Sequence, residues 1–162
     1  MEDYIKQDRA DGSRGWTEQQ HRTCFTVYGK VRGQSRPRFT TRGGFAKAYK
    51  DKRDVAYEQE IAKAYREAGG TLHTGAVEVH ITAYRALPQS RPLKVTHESD
   101  TYKPDIDNIC KIFLDGLNGV AYKDDAQVVY ITAKKQDRKR RPEEFVTVLV
   151  KDVRERQQWQ TH

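Results

Sequence analysis

Cysteine is scarce in this chain, and no long apolar run exists. The two cysteines, Cys24 and Cys110, lie far apart without a CxxC pair, which argues against a zinc knuckle and implies no disulfide framework. Each sits in a run with strand or helix character, so buried free thiols in a reducing cytoplasm are expected. No segment approaches the roughly 20 apolar residues of a membrane helix, so no membrane partner is expected. The N-terminal MEDYIK lacks the basic start and apolar segment of a signal peptide. Serine is rare, no G-x-S-x-G elbow occurs, and no G-x-x-x-x-G-K-[ST] loop is present. Gly43-Gly44 builds no dinucleotide fingerprint, so no nucleotide cofactor is expected. His73, His80 and His97 share no metal-ligand spacing.

What remains is charge. The chain has 162 residues, 33% of them charged and 36% hydrophobic, with a net charge of +7. That length suits one domain with a modest core. A basic balance favours a polyanionic partner such as nucleic acid. The charge is also polarised. Residues 30–53 carry nine Lys/Arg against Asp51 alone, and residues 134–141 carry six against Asp137 alone. Two basic loops can grip phosphates on either side of a site. Phe39, Phe45 and Tyr49 interleave with the first basic segment, where they serve either base stacking or the core.

Residues 1–22 read as a polar flexible arm, 23–151 as the folded domain, and 152–162 as a polar tail that either frays or forms a short helix. Strands are expected at Cys24–Tyr28, Ala76–Tyr84, Gln127–Ala133 and Phe145–Val150. The last pair reads as a hairpin with a basic tip. Helices are expected from about Lys47 to Ala68, stopped by Gly69-Gly70, and from about Asp107 to Leu117, stopped by Asn118-Gly119. Too few strands alternate with helices for a doubly wound sheet. The expected class is α+β, a two-layer α/β arrangement with helices packed on one face of a small mixed sheet.

Within this basic chain, residues 103–129 gather five aspartates. An acidic spot gives a polyanion binder nothing unless the acids hold a divalent cation against a phosphate. On the second helix Ile109, Ile112, Phe113, Gly116 and Leu117 share one face, and Asp107, Lys111, Asp115 and Asn118 the other; Leu114 is the one apolar residue on the polar side. Asp107 and Lys111 stand one turn apart, close enough to address one phosphate. Asp105 sits at the loop-to-helix junction. If the next strand lies beside the helix start, one or both of Asp124 and Asp125 join Asp105 and Asp107. Such carboxylates repel unless a cation separates them. Magnesium suits them, because it takes oxygen ligands and retains waters. The plain alternative is an N-cap, a surface ion pair and a turn.

The blocks KPDIDNICK (103–111), DGLNG (115–119) and YKDDAQVV (122–129), with the upstream GKVRGQSRPRF (29–39) and the Tyr57-Glu58 helix, resemble the RusA family of Holliday junction resolvases. The D-x-D-N-x-x-K and D-D-x-Q-V blocks, in this order, are specific. The resemblance spans roughly Thr23 to Val150. It implies a homodimeric, magnesium-dependent endodeoxyribonuclease that nicks four-way DNA junctions in recombination and repair, often encoded by phages and prophages. Manganese is the natural substitute ion, and the setting is the cytoplasm of a bacterium or phage-infected host. By the same resemblance Asp105, Asp107 and Asp125 hold the metal, and Lys111 is the catalytic lysine. Asp124, Asp115 and Asn108 take supporting places. Arg36, Arg38, Arg138, Arg140 and Arg141 are the expected phosphate contacts. The polar N-terminal arm departs from the family pattern. The rival readings are a noncatalytic junction-binding module and a metal nuclease acting on other branched or single-stranded nucleic acid.

Overall fold

A computed structural model describes residues 5–8, 14–17, 21–41, 43–44 and 47–153. Its centre is a four-stranded mixed sheet in the order β3-β10-β6-β8, made of β3 (Arg22–Tyr28), β6 (Val77–Tyr84), β8 (Val128–Lys135) and β10 (Phe145–Asp152). β10 pairs antiparallel with both β3 and β6, while β6 pairs parallel with β8. Two helices, α1 (Lys52–Glu67) and α2 (Ile106–Leu117), complete an α+β fold.

The alternation read in the sequence is what builds the layers. Val77, Val79, Ile81 and Ala83 of β6 are buried, as are Val146, Val148 and Val150 of β10 and Phe25 and Val27 of β3. They form one core with Tyr57, Ile61 and Tyr65 of α1 and with Ile109, Ile112, Phe113 and Leu117 of α2. Leu114 is partly buried against this core, so the apolar stripe of α2 is wider than its five-residue face. The Tyr57 and Phe113 rings meet edge to face at 5.9 Å. The helices cross closely at Gly116, where an added Cβ would lie 3.0 Å from Ile61 and 3.1 Å from the Glu58 carbonyl.

Several expectations need correction. The run β8–β10 is no hairpin, because β6 lies between the two strands. β6, α2 and β8 instead form a parallel crossover, whose helix covers the sheet face between its strands. Helix α1 begins at Lys52 rather than Lys47. The Asp51 side chain accepts from the Arg53 amide at 2.8 Å and caps it, and β5 (Lys47–Tyr49) pairs with β4 (Arg38–Thr40) just upstream. Cys24 is exposed and Cys110 half-buried, both as free thiols. Cys24 points away from the core because its neighbours Thr23 and Phe25 point inward.

Two minor pairings lie outside the central sheet. β7 (His97–Glu98) pairs with β9 (Arg138–Lys139) beside it. In the expected arm, β1 (Ile5–Asp8) pairs antiparallel with β2 (Arg14–Thr17). Residues 1–4, 9–13 and 18–20 of that arm, and residues 154–162 of the expected tail, lie outside the described residues. Among the described residues no helix is long and apolar enough to cross a membrane.

Candidate metal centre and nucleic-acid interface

The sequence places Asp105 at the junction where α2 begins, and there its side chain makes no cap hydrogen bond to the helix. Its carboxylate pairs instead with exposed Lys103. Asp107 lies in the first helical turn and Lys111 one turn further, both exposed. Neither has an ion pair or side-chain hydrogen bond with the described residues, so the surface ion pair of the plain alternative is not made. A helix N-terminus with one unpartnered carboxylate, Asp107, and a second, Asp105, held only by an exposed lysine presents hard oxygen donors to solvent. Beside them, burial and the Asp107 charge push the Cys110 thiol up.

Two devices hold this end of α2, and a third holds its last turn. Asp100, whose side chain is fully buried, accepts from Arg85 at 2.9 Å and lies 3.7 Å from Lys135. Lys135 Nζ also donates to the Tyr102 carbonyl at 2.5 Å and the Pro104 carbonyl at 3.1 Å. The loop delivering Asp105 is thus pinned to the end of β8. Second, the Gln34 amide donates to the Asn108 carbonyl at 2.9 Å. Gly33 makes that approach possible, since a Cβ there would stand 2.8 Å from Pro104 Cβ and 2.9 Å from Asn108 Cβ. Third, Asp115 accepts from Gln34 Nε2 at 2.9 Å and from Lys50 Nζ at 2.8 Å. Asp115 therefore ties the first basic segment to α2. Burial works against the charge of Lys50, but its hydrogen bonds to Asp115 and Glu58 outweigh this and raise its pKa.

Asp124 and Asp125 lie elsewhere. Asp124 caps a short 3-10 helix, Asp125–Gln127, by accepting from the Ala126 amide at 2.8 Å. The Gln127 side chain accepts from the Lys123 amide and donates to the carbonyls of His73 and Gly75. This turn precedes Val128, which pairs with Val77 at the start of β6. Asp105 lies by the opposite end of β8, near Lys135. α2 and β8 run antiparallel, so within one chain Asp125 does not join Asp105 and Asp107. At about 1.5 Å per helical residue and 3.3 Å per strand residue, the gap is on the order of 15–20 Å. The expectation that the strand start lies beside the helix start is corrected on this point. A parallel crossover lays its helix antiparallel to both strands, and this brings the helix start to the strands' far end.

The basic segments lie at the Asp105 end. Lys30 to Arg36 follow β3, and 134–141 run from the end of β8 towards β10. Arg36 is exposed with no hydrogen bond or ion pair to the described residues. Arg38 is exposed and pairs with Asp51 at 2.9 Å. Arg140 is exposed and donates to the carbonyls of Arg91 and Pro92. Arg141 lies over the Tyr84 and Phe145 rings at 5.4 and 5.5 Å. Arg138 is buried, donating to the Ala86 carbonyl at 3.1 Å, 3.5 Å from Glu98 and over the Tyr102 ring at 4.8 Å. Its guanidinium is already committed to the protein, so it is not presented to a backbone phosphate as expected. The aromatics Phe39 and Tyr49 stand exposed on the β4–β5 hairpin, at 70% and 48%.

Residues 29–149 match the family described as Endodeoxyribonuclease RusA. The chain belongs to the RusA endodeoxyribonuclease family. The RusA match takes in both basic segments and all five aspartates of the 103–129 stretch. A similar protein is the "Uncharacterized protein YqaN" of Bacillus subtilis (strain 168), 35% identical over 120 residues, which cover 68% of this chain and 84% of that one. Sequence reasoning missed the Arg85–Asp100–Lys135 cluster, because no spacing rule links a residue just past β6, one in a loop and one at the end of β8. It also missed a group at the opposite end of the sheet, formed by His21, His73 and Asp152.

Proposed function

We propose that this RusA-family chain is a magnesium-dependent endodeoxyribonuclease that nicks four-way DNA junctions as a homodimer, with manganese as a substitute ion. Asp105 and Asp107 would hold the metal in one chain, and Asp125 would come from the other. The observation that carries this reading is the pair of carboxylates at the start of α2, Asp107 unpartnered among the described residues and Asp105 held only by exposed Lys103, between two basic segments. Hard oxygen donors of this kind suit magnesium, and two from one chain leave room for waters and a third carboxylate. Bound there, the metal would neutralise phosphate charge and lower the pKa of an attacking water. Lys111 would stabilise the charge that develops on the scissile phosphate. Arg36, Arg38, Arg140 and Arg141 would address flanking backbone, in the cytoplasm of a bacterial or phage-infected host.

The edge strand β8 supports the dimer. Val129, Tyr130 and Ile131 are exposed at 62%, 53% and 40% on a strand with an unpaired edge. A two-fold axis near its middle would set a second β8 antiparallel alongside. That operation brings the Asp125 end of one chain to the Asp105 end of the other, twice over. Two equivalent sites suit a junction that is itself nearly two-fold symmetric.

Mixed dimers test this directly. Asp107→Asn and Asp125→Asn homodimers should each lose nicking of a synthetic four-way junction by at least a hundredfold. Mixing and re-pairing the two variants should restore nicking, because one of the two sites then has every acid intact. Restoration requires sites shared between chains; no restoration means each chain builds its own. Binding without product at any magnesium or manganese concentration would leave a junction-binding module, and faster cutting of flaps or single strands would move the substrate.

A further inference from the structure

We propose that His21, His73 and Asp152 form a second metal site, suited to a transition-metal dication such as zinc and separate from the carboxylates of α2. Each of the three offers one ligand atom, and these atoms all lie within 4.8 Å of one another. They come from three distant segments. His21 precedes β3, His73 lies between α1 and β6, and Asp152 ends β10. The backbone brings them together: the Asp152 amide donates to the His21 carbonyl at 3.1 Å, and the His73 amide to the Ala121 carbonyl at 2.8 Å. The His21 and His73 rings meet edge to face with centroids 5.0 Å apart.

The ring of His73 carries the inference. Its side chain is fully buried, and Nδ1 lies 2.6 Å from Asp152 Oδ1. Nε2, across the ring, is buried without a hydrogen-bond partner among the described residues. The close approach of Nδ1 to the Asp152 carboxylate needs a proton or a cation between the two atoms, and a dication set there takes both as ligands once the 2.6 Å contact opens to admit it. His21 is exposed and, among the described residues, bonded through its ring only to the Thr71 hydroxyl, at 2.7 Å from Nε2 and 3.2 Å from Nδ1. It can swing without disturbing the core. Tetrahedral zinc ligands stand about 3.4 Å apart at ordinary bond lengths, so His21 must close by roughly an ångström. Water would complete the coordination.

Two imidazoles and one carboxylate select the metal class. Imidazole nitrogen favours zinc, cobalt, nickel and copper, whereas magnesium prefers an all-oxygen shell. The site sits at the Asp125 end of the sheet, where Gln127 holds the His73 carbonyl at 3.0 Å. An ion here would cross-link the entry to β3, the loop before β6 and the exit of β10. Its role is structural, and its existence does not depend on the nuclease reading.

The test uses the whole 162-residue chain, freed of metal by chelator and titrated with cobalt and then zinc. One cobalt per chain should bind with the visible spectrum of a nitrogen- and oxygen-ligated ion, and zinc should displace it. Zinc should raise the melting temperature, and magnesium at the same concentration should not displace the cobalt. His21→Ala, at an exposed position, should keep the fold by circular dichroism and weaken cobalt binding at least tenfold. His80→Ala, whose histidine bonds to Thr132 and Glu78 instead, should bind cobalt as the parent does. Absence of cobalt binding overturns the proposal. So does binding, or a zinc-dependent rise in melting, that persists in His21→Ala.

Discussion

Asp100 is the residue on which the position of Asp105 depends most. Its carboxylate is wholly enclosed between Arg85 and Lys135, and Lys135 in turn holds the carbonyls that lead into α2. Removing one partner from such a buried group strands the others in a poor solvent, at a cost of about 3–5 kcal/mol. Asp100→Ala should lower the free energy of unfolding by an amount in that range, read as a lower urea midpoint at unchanged denaturant slope. Gly33 makes a complementary prediction. Gly33→Ala drives a methyl against Pro104 and Asn108 at 2.8 and 2.9 Å, with backbone behind both. Overpacking of this kind costs about 1–3 kcal/mol. The displacement falls on the start of α2, so nicking should drop by more than stability does; equal losses would show that the contact only supports the fold. Asp51 sets a pH dependence. The hydrogen bond from the Arg53 amide holds its carboxyl below the ordinary value of 3.8, against a smaller effect of burial. A depressed folded pKa gives stability that is full above the unfolded value and lost as pH falls through the folded one. Asp51→Asn should therefore lower the stability of the start of α1 by a constant amount above the ordinary value of 3.8, neutral pH included, and its difference from the parent should shrink as pH falls through the depressed pKa.

At the level of elements, α2 was largely readable in advance. Its apolar positions fall on one face, and those residues are the ones that meet α1 and the sheet. β6 was equally plain, because strict alternation has one physical meaning when one face is covered. What a strand pairs with was not readable. Periodicity reports which side chains point inward, not which neighbour takes the hydrogen bonds, so β8 and β10 looked like a hairpin although β6 separates them. The misplacing of Asp125 follows from the same gap. Given a hairpin, a turn before β8 has no fixed relation to α2; given a parallel crossover, it must lie by the helix's end. A helix between two β-rich runs was the available clue. β8 itself yields a prediction. On the dimer proposed above, replacing Ile131 with Lys puts charge at the seam, so the chain should stay folded, sediment as a monomer, and cut junctions only at much higher protein concentration.

For the molecule as a whole, the two ends of the sheet differ in kind. One carries the two carboxylates at the start of α2 and both basic segments; the other carries Asp125 and the histidine pair. The charge asymmetry was visible in composition, and the histidine pair was not, since its members stand far apart in the sequence and meet only when three segments close. Binding to a junction should weaken steeply with salt, as for any protein that displaces counterions from phosphates. The distance between Asp125 and the start of α2 has one more consequence. On the reading proposed here, a newly made chain is harmless to the genome that encodes it. Its cutting power rises with the square of its abundance while copies are few, so scarcity alone acts as the safety catch.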